Sequence, residues 1–495
     1  MHLCLDVSSN WQNDRVASTQ LLFAILIVAA AFHFLTMRPG HGWGDDWALY
    51  VAHAKNIVER RPYSETGYIY NVEARYAPPK YPPGFPILLA PVYAVRGIDL
   101  EALKVPGIIS FIGALGLLAI VAAGWCGASS ALIATSLVAF HPFFRDFKNN
   151  ILSDLPFLFF LLLGIWISER VLDPRRSDRA AIWWGATAAL TWFFAYSIRT
   201  VGFALPAAFL VTAVFQKSPA RRVIPSLGIF VLLALLQAVI FQGPADYLLQ
   251  YSFQPDLIIG QLREYIADMR TLVDPGWGQQ FARMEFWALS AFAVVGAVRI
   301  WKSGHRLPIA FSVVYGATVV LWPFHEGVRM LIPLIPFYFL ACVVGLAVAA
   351  AKTRRWSFVV LGLACVPIVG AYWRGYHRVE TVYEEERIES ASARSLFHTV
   401  RTSTPDTAVL IFKKPRALAL LTGRRSAIYA LRSLDDPWRF PRSIRATHFI
   451  RVRGSTQDSL YVNALERSSP NAVMPLFAND QFVIYKLDIG RVRAR

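Results

Sequence analysis

Two adjacent carboxylates, Asp45 and Asp46, follow the first long apolar stretch of the chain and begin the run Gly44-Asp45-Asp46-Trp47-Ala48-Leu49-Tyr50. A charged pair so close to hydrocarbon is costly to bury, so it calls for a partner or a chemical task. From Trp47 the apolar positions Trp47, Val51, Ala54 and Val58 recur at helical spacing. That pattern predicts an amphipathic helix near a membrane surface, with both carboxylates at its N-terminal end. Asp is also a favoured N-cap, and its charge suits the helix dipole. A cap and a general base are compatible roles, and the sequence leaves both open.

Further polar residues stand at the ends of other apolar stretches. Lys80 and Tyr81 lie in Ala77-Pro78-Pro79-Lys80-Tyr81-Pro82-Pro83-Gly84-Phe85-Pro86, where proline fixes an extended backbone that can hold the lysine against a phosphate. The plainer account is a stiff loop with a solvated lysine. Arg145, Asp146, Lys148 and Asp154 crowd another short loop, and Ser153 or Asp154 can cap the helix that follows. Arg199 sits between two apolar stretches, where its guanidinium matches a phosphate bidentately or snorkels to an interface. His325, Glu326 and Arg329 form one more polar group, in which Glu326 and Arg329 can pair across a helical turn.

The elements that must position these groups are mostly membrane spans. The 495 residues are 55% hydrophobic, 14% aromatic and only 17% charged, which is the composition of an integral membrane protein. At about 20 apolar residues per crossing, helices are expected near 19–37, 102–123, 129–144, 152–172, 180–196, 200–215, 223–241, 286–300, 307–323, 330–351 and 357–373, about eleven in all. The first stretch lacks a clear signal-peptide cleavage site and counts as a span. Lys and Arg concentrate in alternate short loops: Arg175, Arg176 and Arg179; Lys217, Arg221 and Arg222; Arg299, Lys302 and Arg306; Lys352, Arg354 and Arg355. The positive-inside rule makes these loops cytoplasmic. The loop 38–101, the loop 141–150, the segment 242–285, the turn at His325 and the whole tail then face the opposite side.

The formal net charge of +17 is divided between short loops and the tail, so membrane topology explains it better than a nucleic-acid partner does. Cys4, Cys126, Cys342 and Cys365 form no disulfide framework. The chain reads as a membrane domain over 1–373, with its first outer loop at 38–101, and a soluble α/β domain over 374–495. In that tail 408–412, 426–431, 448–452 and 481–487 read as strands, and 414–422 as a helix closed by Gly423. No internal repeat supports an inverted-repeat transporter.

With this topology all the polar groups above fall on one side of the membrane. Carboxylates and cations gathered there suit a reaction in which a base takes a proton from an acceptor hydroxyl while cations stabilise charge on a leaving phosphate.

The motifs, in their order and spacing, resemble the GT-C membrane glycosyltransferases, particularly the bacterial group related to protein O-mannosyltransferases and lipid A aminoarabinose transferases. The resemblance rests on Gly44-Asp45-Asp46, a helix with Tyr50 and Asn56, Lys80-Tyr81-Pro82-Pro83, Ser153-Asp154-Leu155-Pro156-Phe157, Ile198-Arg199-Thr200-Val201-Gly202, Arg329-Met330-Leu331-Ile332-Pro333-Leu334-Ile335-Pro336, and the tail's Lys414-Pro415-Arg416 with Leu421-Thr422-Gly423-Arg424-Arg425. It implies an inverting transferase that uses a polyprenyl-phosphate-linked sugar and a cell-envelope lipid, polysaccharide or protein acceptor. Carried over, Asp45 is the base and Asp46 supports it. Lys80, Arg199 and Arg329 contact the donor phosphate, and Tyr50, Tyr81, Asp154, His325 and Glu326 are further site candidates. Asp45, Asp46 and Asp154 can bind a divalent cation through oxygen ligands, though nothing in the sequence demands one. Relatives commonly have Asp-Glu where this chain has Asp-Asp, and Lys-Pro-Pro where it has Lys-Tyr-Pro-Pro, so the substrate does not transfer with the resemblance. The expected location is a bacterial inner membrane, with the N-terminus cytoplasmic and the tail periplasmic. The competing class is a flippase for polyprenyl-linked saccharides, which would place charges along a path through the bilayer. Here the middles of the spans are largely uncharged.

Overall fold

The computed structural model describes residues 7–74, 78–241, 251, 253–352, 357–378, 387–431 and 434–492. Cys4, Ala77, Arg354 and Arg355, and parts of the expected outer segments, lie outside them. The chain divides into two compact units: Met1–Met37, Lys104–Asn149 and Ser153–Glu380 form one, and Arg38–Leu103, Asn150–Leu152 and Thr381–Arg495 form the other. Composition places a boundary at residue 373, whereas contacts group the first loop with the tail.

The first unit is helical. Among the described residues, four helices, Ala102–Cys126, Asp154–Leu172, Ala220–Phe241 and Gln279–Lys302, are long and apolar enough to cross a membrane, and shorter apolar helices include Thr19–Leu35, Ala128–Ala139, Thr200–Phe215, Leu307–Val320 and Ile335–Ala351. The span expected at 129–144 is broken. Ala128–Ala139 ends before His141, which is extended and accepts the Phe143 N–H on its side chain, and Pro142 opens the short helix Pro142–Phe147. Proline lacks the N–H that a continuous helix needs there. The span expected to begin at residue 330 begins at Ile335 instead, because Gly327–Leu331 winds as a 3-10 turn ahead of Pro333 and Pro336. A helix at Pro255–Thr271 lies where none was expected.

Helices Gln279–Lys302 and Ile335–Lys352 meet backbone to backbone. A Cβ on Gly296 would stand 1.9 Å from the Ala341 carbonyl oxygen, and one on Gly345 would stand 1.9 Å from that of Phe292. Small residues permit such approach where helix pairs depend on van der Waals packing.

The second unit holds a six-stranded sheet in the order β1-β3-β2-β4-β6-β5. These strands are β1 (Tyr68–Ile69), β2 (Val409–Ile411), β3 (Arg425–Ala427), β4 (His448–Val452), β5 (Val473–Ala478) and β6 (Phe482–Leu487). The expected tail strands all appear, and Gly423 closes Pro415–Thr422 at φ 71° as a left-handed cap. The edge strand β1 was not expected, since the first loop supplies it to the tail's sheet, pairing Tyr68 with Ser426 in parallel. Trp438, Phe449, Tyr461 and Leu465 fill one core of this unit. Trp43 packs on the rings of Phe397, Phe412 and Phe482.

The helix that starts after Asp45 spans Asp46–Val58, as the spacing predicts, but it is not amphipathic in the expected sense. Trp47 through Ala54 are all buried, as is Asn56. The reason is packing on two sides, against Gly84–Arg96 and against Pro415–Thr422 of the tail. Asn56 Nδ2 donates to the carbonyls of Pro62 (3.1 Å) and Glu65 (2.9 Å), fixing the chain that leaves the helix.

Gly296→Val drives a branched side chain into a facing carbonyl, and overpacking of this kind costs about 1–3 kcal/mol or more. Thermal unfolding of the purified variant should show a lower midpoint than Gly124→Val, whose added Cβ meets no atom within 4 Å.

Candidate active site

Asp45 occupies the N-cap position of Asp46–Val58, yet its side chain makes no capping bond there. Its Oδ1 instead accepts the backbone N–H groups of Arg416 at 3.1 Å and Ala417 at 3.2 Å, in the first turn of Pro415–Thr422. Pro415 has no N–H to offer, so these are among the first donors that this helix presents. Asp45 is therefore a cap, but of a helix in the tail.

Arg416 joins the two carboxylates. Its side chain is 2% exposed, and its Nη1 donates to Asp46 Oδ1 at 3.1 Å while its Nε lies 3.7 Å from Asp45 Oδ2. Nη1 also donates to the Tyr81 hydroxyl at 3.1 Å, and Nη2 donates to the Pro78 carbonyl at 2.7 Å. The guanidinium lies over the rings of Tyr68 and Tyr81, 5.1 and 5.2 Å from their centroids. The Tyr81 hydroxyl completes the ring of bonds by donating to Asp46 Oδ1 at 2.7 Å. The rigid proline loop thus serves to bring the Pro78 carbonyl and the Tyr81 phenol to Arg416.

Burial pushes the Asp45 carboxyl up to about 6, against the pull of Arg416 and of the Ala417 N–H. The Arg416 pKa is raised, because the charges of Tyr81, Asp45 and Asp46 outweigh its burial. The Asp46 side chain is 32% exposed against 15% for Asp45, so the pair comprises one sheltered oxygen pair and one more open to solvent.

Behind the pair lies an aromatic and imidazole wall. Tyr50 is buried and stacks on Tyr81 with centroids 4.5 Å apart. His53 donates from Nδ1 to the Tyr63 carbonyl at 2.8 Å and accepts the Tyr81 N–H on Nε2 at 3.2 Å, which fixes its neutral tautomer. Burial lowers its pKa to about 4, and the Arg416 and Lys80 charges add to the effect. Tyr63 donates to the Tyr81 carbonyl at 2.8 Å. Lys80 is half-buried beside Tyr81.

A second polar cluster belongs to the helical unit. Asp154, 3% exposed, opens Asp154–Leu172 and receives two arginines. The Arg199 Nη1 pairs with its Oδ1, and the Arg329 Nε donates to Oδ1 at 3.2 Å and Oδ2 at 3.0 Å. Ser153 makes no side-chain cap at this helix. Arg199 caps the C-terminal end of Asp178–Ile198 with extended backbone, and Arg329 comes from the 3-10 turn Gly327–Leu331. Glu326 also pairs with Arg329, at 3.7 Å, the link that the sequence allowed, but it is the more exposed and looser counter-ion. His325 turns to Asp268, 2.8 Å from its Nε2, and to Glu264 at 3.5 Å, both on Pro255–Thr271.

Asp45, Asp46, Tyr50, Lys80 and Tyr81 therefore lie in one unit, and Asp154, Arg199, His325, Glu326 and Arg329 in the other. Asp154 is an arginine partner, and Arg416 meets both Asp45 and Asp46. Among the described residues no group of three or more His, Cys, Asp or Glu side chains could hold a metal ion. Arg416 is the residue the sequence reading missed as a site member. It stands in an Arg-rich tail, and only its place after a helix-opening proline sets it apart.

Arg416→Met leaves two part-buried carboxylates without their cation, and losing one partner of a buried pair costs about 3–5 kcal/mol. Denaturant unfolding should show this loss, and it should shrink in the triple variant Asp45→Asn, Asp46→Asn, Arg416→Met.

Part of the chain matches a known family model, and the fold as a whole is similar to those of solved structures. Residues 80–241 match the family model described as dolichyl-phosphate-mannose-protein mannosyltransferase. The structure is similar to that of ArnT from Cupriavidus metallidurans bound to undecaprenyl phosphate, with 13% identity, 96% of this chain and 100% of that chain covered, and a TM-score of 0.57. It is also similar to the Archaeoglobus fulgidus oligosaccharyltransferase in complex with zinc and sulfate (11% identity, 95% and 74% covered, TM-score 0.61). The same archaeal enzyme, AglB, in complex with an inhibitory peptide and a dolichol-phosphate, matches at 12% identity, 95% and 75% coverage and a TM-score of 0.55. A comparison with curated proteins found no match. At these identities the structural likeness establishes the fold.

Proposed function

We propose that the protein is an inverting glycosyltransferase that moves a sugar from a polyprenyl-phosphate-linked donor to an extracytoplasmic lipid, polysaccharide or protein acceptor. The observation that carries this reading is the acidic pair held in a fixed geometry by Arg416 and Tyr81, with the Asp45 carboxyl poised at about 6. A general base works best when its pKa lies near the operating pH. The match to the mannosyltransferase family and the polyprenyl phosphates bound to ArnT and AglB support the donor class.

In this account Asp45 takes the proton from an acceptor hydroxyl as its oxygen attacks the anomeric carbon. The bond from that carbon to the phosphate oxygen breaks, and the electron pair leaves with the polyprenyl phosphate. Asp46, Tyr81 and Arg416 hold Asp45 in place, and Tyr50 backs Tyr81. Arg199 and Arg329, which share Asp154, are assigned to the donor phosphate, and the resemblance assigns Lys80 the same role. Asp154 orients the arginines, while His325 and Glu326 shape the turn that carries Arg329. No step is routed through a divalent cation: Arg416 already lies against both Asp45 and Asp46, and Asp154 is held by two guanidiniums. In this proposal the chain has about eleven spans, a cytoplasmic N-terminus, a bacterial inner-membrane location, a membrane domain ending near residue 373 and an extracytoplasmic tail.

The test is transfer of radiolabelled sugar from a panel of polyprenyl-phosphate sugars by purified protein in lipid. Asp45→Asn should lower transfer by about 10²–10⁴-fold while thermal unfolding stays cooperative. Arg199→Gln and Arg329→Gln should each raise the donor KM by about tenfold or more, as expected for a lost hydrogen bond to a charged group. Full activity in Asp45→Asn reduces that residue to a helix cap. Lipid movement across proteoliposomes with no sugar transfer assigns the chain to the flippase class.

A further inference from the structure

A cavity of about 990 Å³ opens in the helical unit among the ends of six helices, lined by residues 169, 170, 172–176, 215–219, 222 and 303–307. These are the loops that the positive-inside rule assigns to the cytoplasmic side, and the clusters discussed above contribute nothing to it. Its lining carries Arg170, Arg175, Arg176, Lys217, Arg222 and Arg306, against only two carboxylates, Glu169 and Asp173.

Both carboxylates are already engaged. Glu169 accepts the Trp125 indole N–H at 2.8 Å and pairs with His305 at 3.1 Å, and Asp173 pairs with Arg175 at 3.0 Å. Arg222 is tied to Asp178 at 2.5 Å and to the Asp173 and Arg176 carbonyls, so it builds the wall. The unspent donors are elsewhere. The Nε atoms of Arg176 and Arg306 are buried with no hydrogen-bond partner, and the nearest ion-pair oxygen to Arg176 Nε, on Asp173, is 3.9 Å away. A buried guanidinium N–H left unpaired is costly, and an anion removes that cost.

The surroundings indicate where such an anion comes from. Arg170 stacks on Trp166 at 3.4 Å, and Arg306 lies 5.6 Å from the Trp301 ring centroid. Tryptophan and arginine at span ends mark the headgroup level of a bilayer. Phe215, in the lining itself, is 60% exposed, and Val214 beside it is 68% exposed, so an apolar surface runs from the cavity along the outside of the helices.

We propose that this cavity is a phosphate-binding site filled by the headgroup of an anionic phospholipid from the leaflet that faces these loops. Arg176, Arg306 and Lys217 contact the phosphate, and the acyl chains follow the exposed face of Phe215 and Val214. The volume is at the upper end of ordinary ligand pockets, sufficient for a glycerophosphate headgroup.

The test uses the full-length protein in neutral detergent, titrated with phosphatidylglycerol, phosphatidylcholine or inorganic phosphate, with native mass spectrometry and thermal unfolding as readouts. Phosphatidylglycerol should be retained and should raise the unfolding midpoint by several degrees, phosphatidylcholine should not, and phosphate should act only weakly. The triple variant Arg176→Gln, Arg306→Gln, Lys217→Gln should lose phosphatidylglycerol affinity at least tenfold, whereas Arg96→Gln, on the surface of the other unit, should keep it. Should the triple variant fail to fold, the single variant Lys217→Gln, at an exposed position, should still weaken retention severalfold. Equal stabilisation by phosphatidylcholine, or unchanged affinity in the variants, overturns the site. Phosphate matching phosphatidylglycerol at equal concentration overturns the lipid as occupant.

Discussion

A guanidinium buried as deeply as that of Arg416 persists only when most of its donors and its charge are met, and meeting them brings three stretches of chain together. The acidic pair comes from the start of Asp46–Val58, the Pro78 carbonyl and the Tyr81 phenol come from the proline loop, and the arginine itself comes from the tail. Asp45 adds a second tie through the backbone N–H groups of Arg416 and Ala417. Strand β1, given by the first loop to the tail's sheet, is a third link between the same parts of the chain. The geometry of the acidic pair depends on this knot more than on the helix that follows it.

The knot also shapes the chemistry assigned to the pair. An isolated buried carboxylate would be neutral, and a carboxylate fully paired to arginine would be too weak a base. Burial raising the Asp45 pKa while Arg416 lowers it leaves the group at about 6. The folded state binds that proton more tightly than the unfolded chain, so this contribution to stability is full below the ordinary carboxylate range and is lost as pH rises through about 6. A residue kept where its preferred charge costs stability is consistent with a functional role.

Much of this was legible in the sequence because it is local. The helical spacing from Trp47 placed Asp46–Val58, and short apolar runs in the tail placed β4 and β6. Gly423 marked the end of Pro415–Thr422 through its left-handed backbone. What the sequence hid is non-local. Nothing near Arg416 in the chain records its carboxylate partners, and Asp154, Arg199 and Arg329 come from three separate segments. The amphipathic reading of the first-loop helix failed because its second face is covered by the tail, and the long span at 129–144 failed at a single proline.

The most direct test of the proposed base is the pH dependence of transfer with saturating donor and acceptor. The account predicts an acid limb with a midpoint near 6, moving upward in Arg416→Lys as the bonds to Asp46, Tyr81 and Pro78 that hold the cation beside Asp45 are lost. A rate that is flat down to the ordinary carboxylate range, or a midpoint indifferent to Arg416, would contradict it.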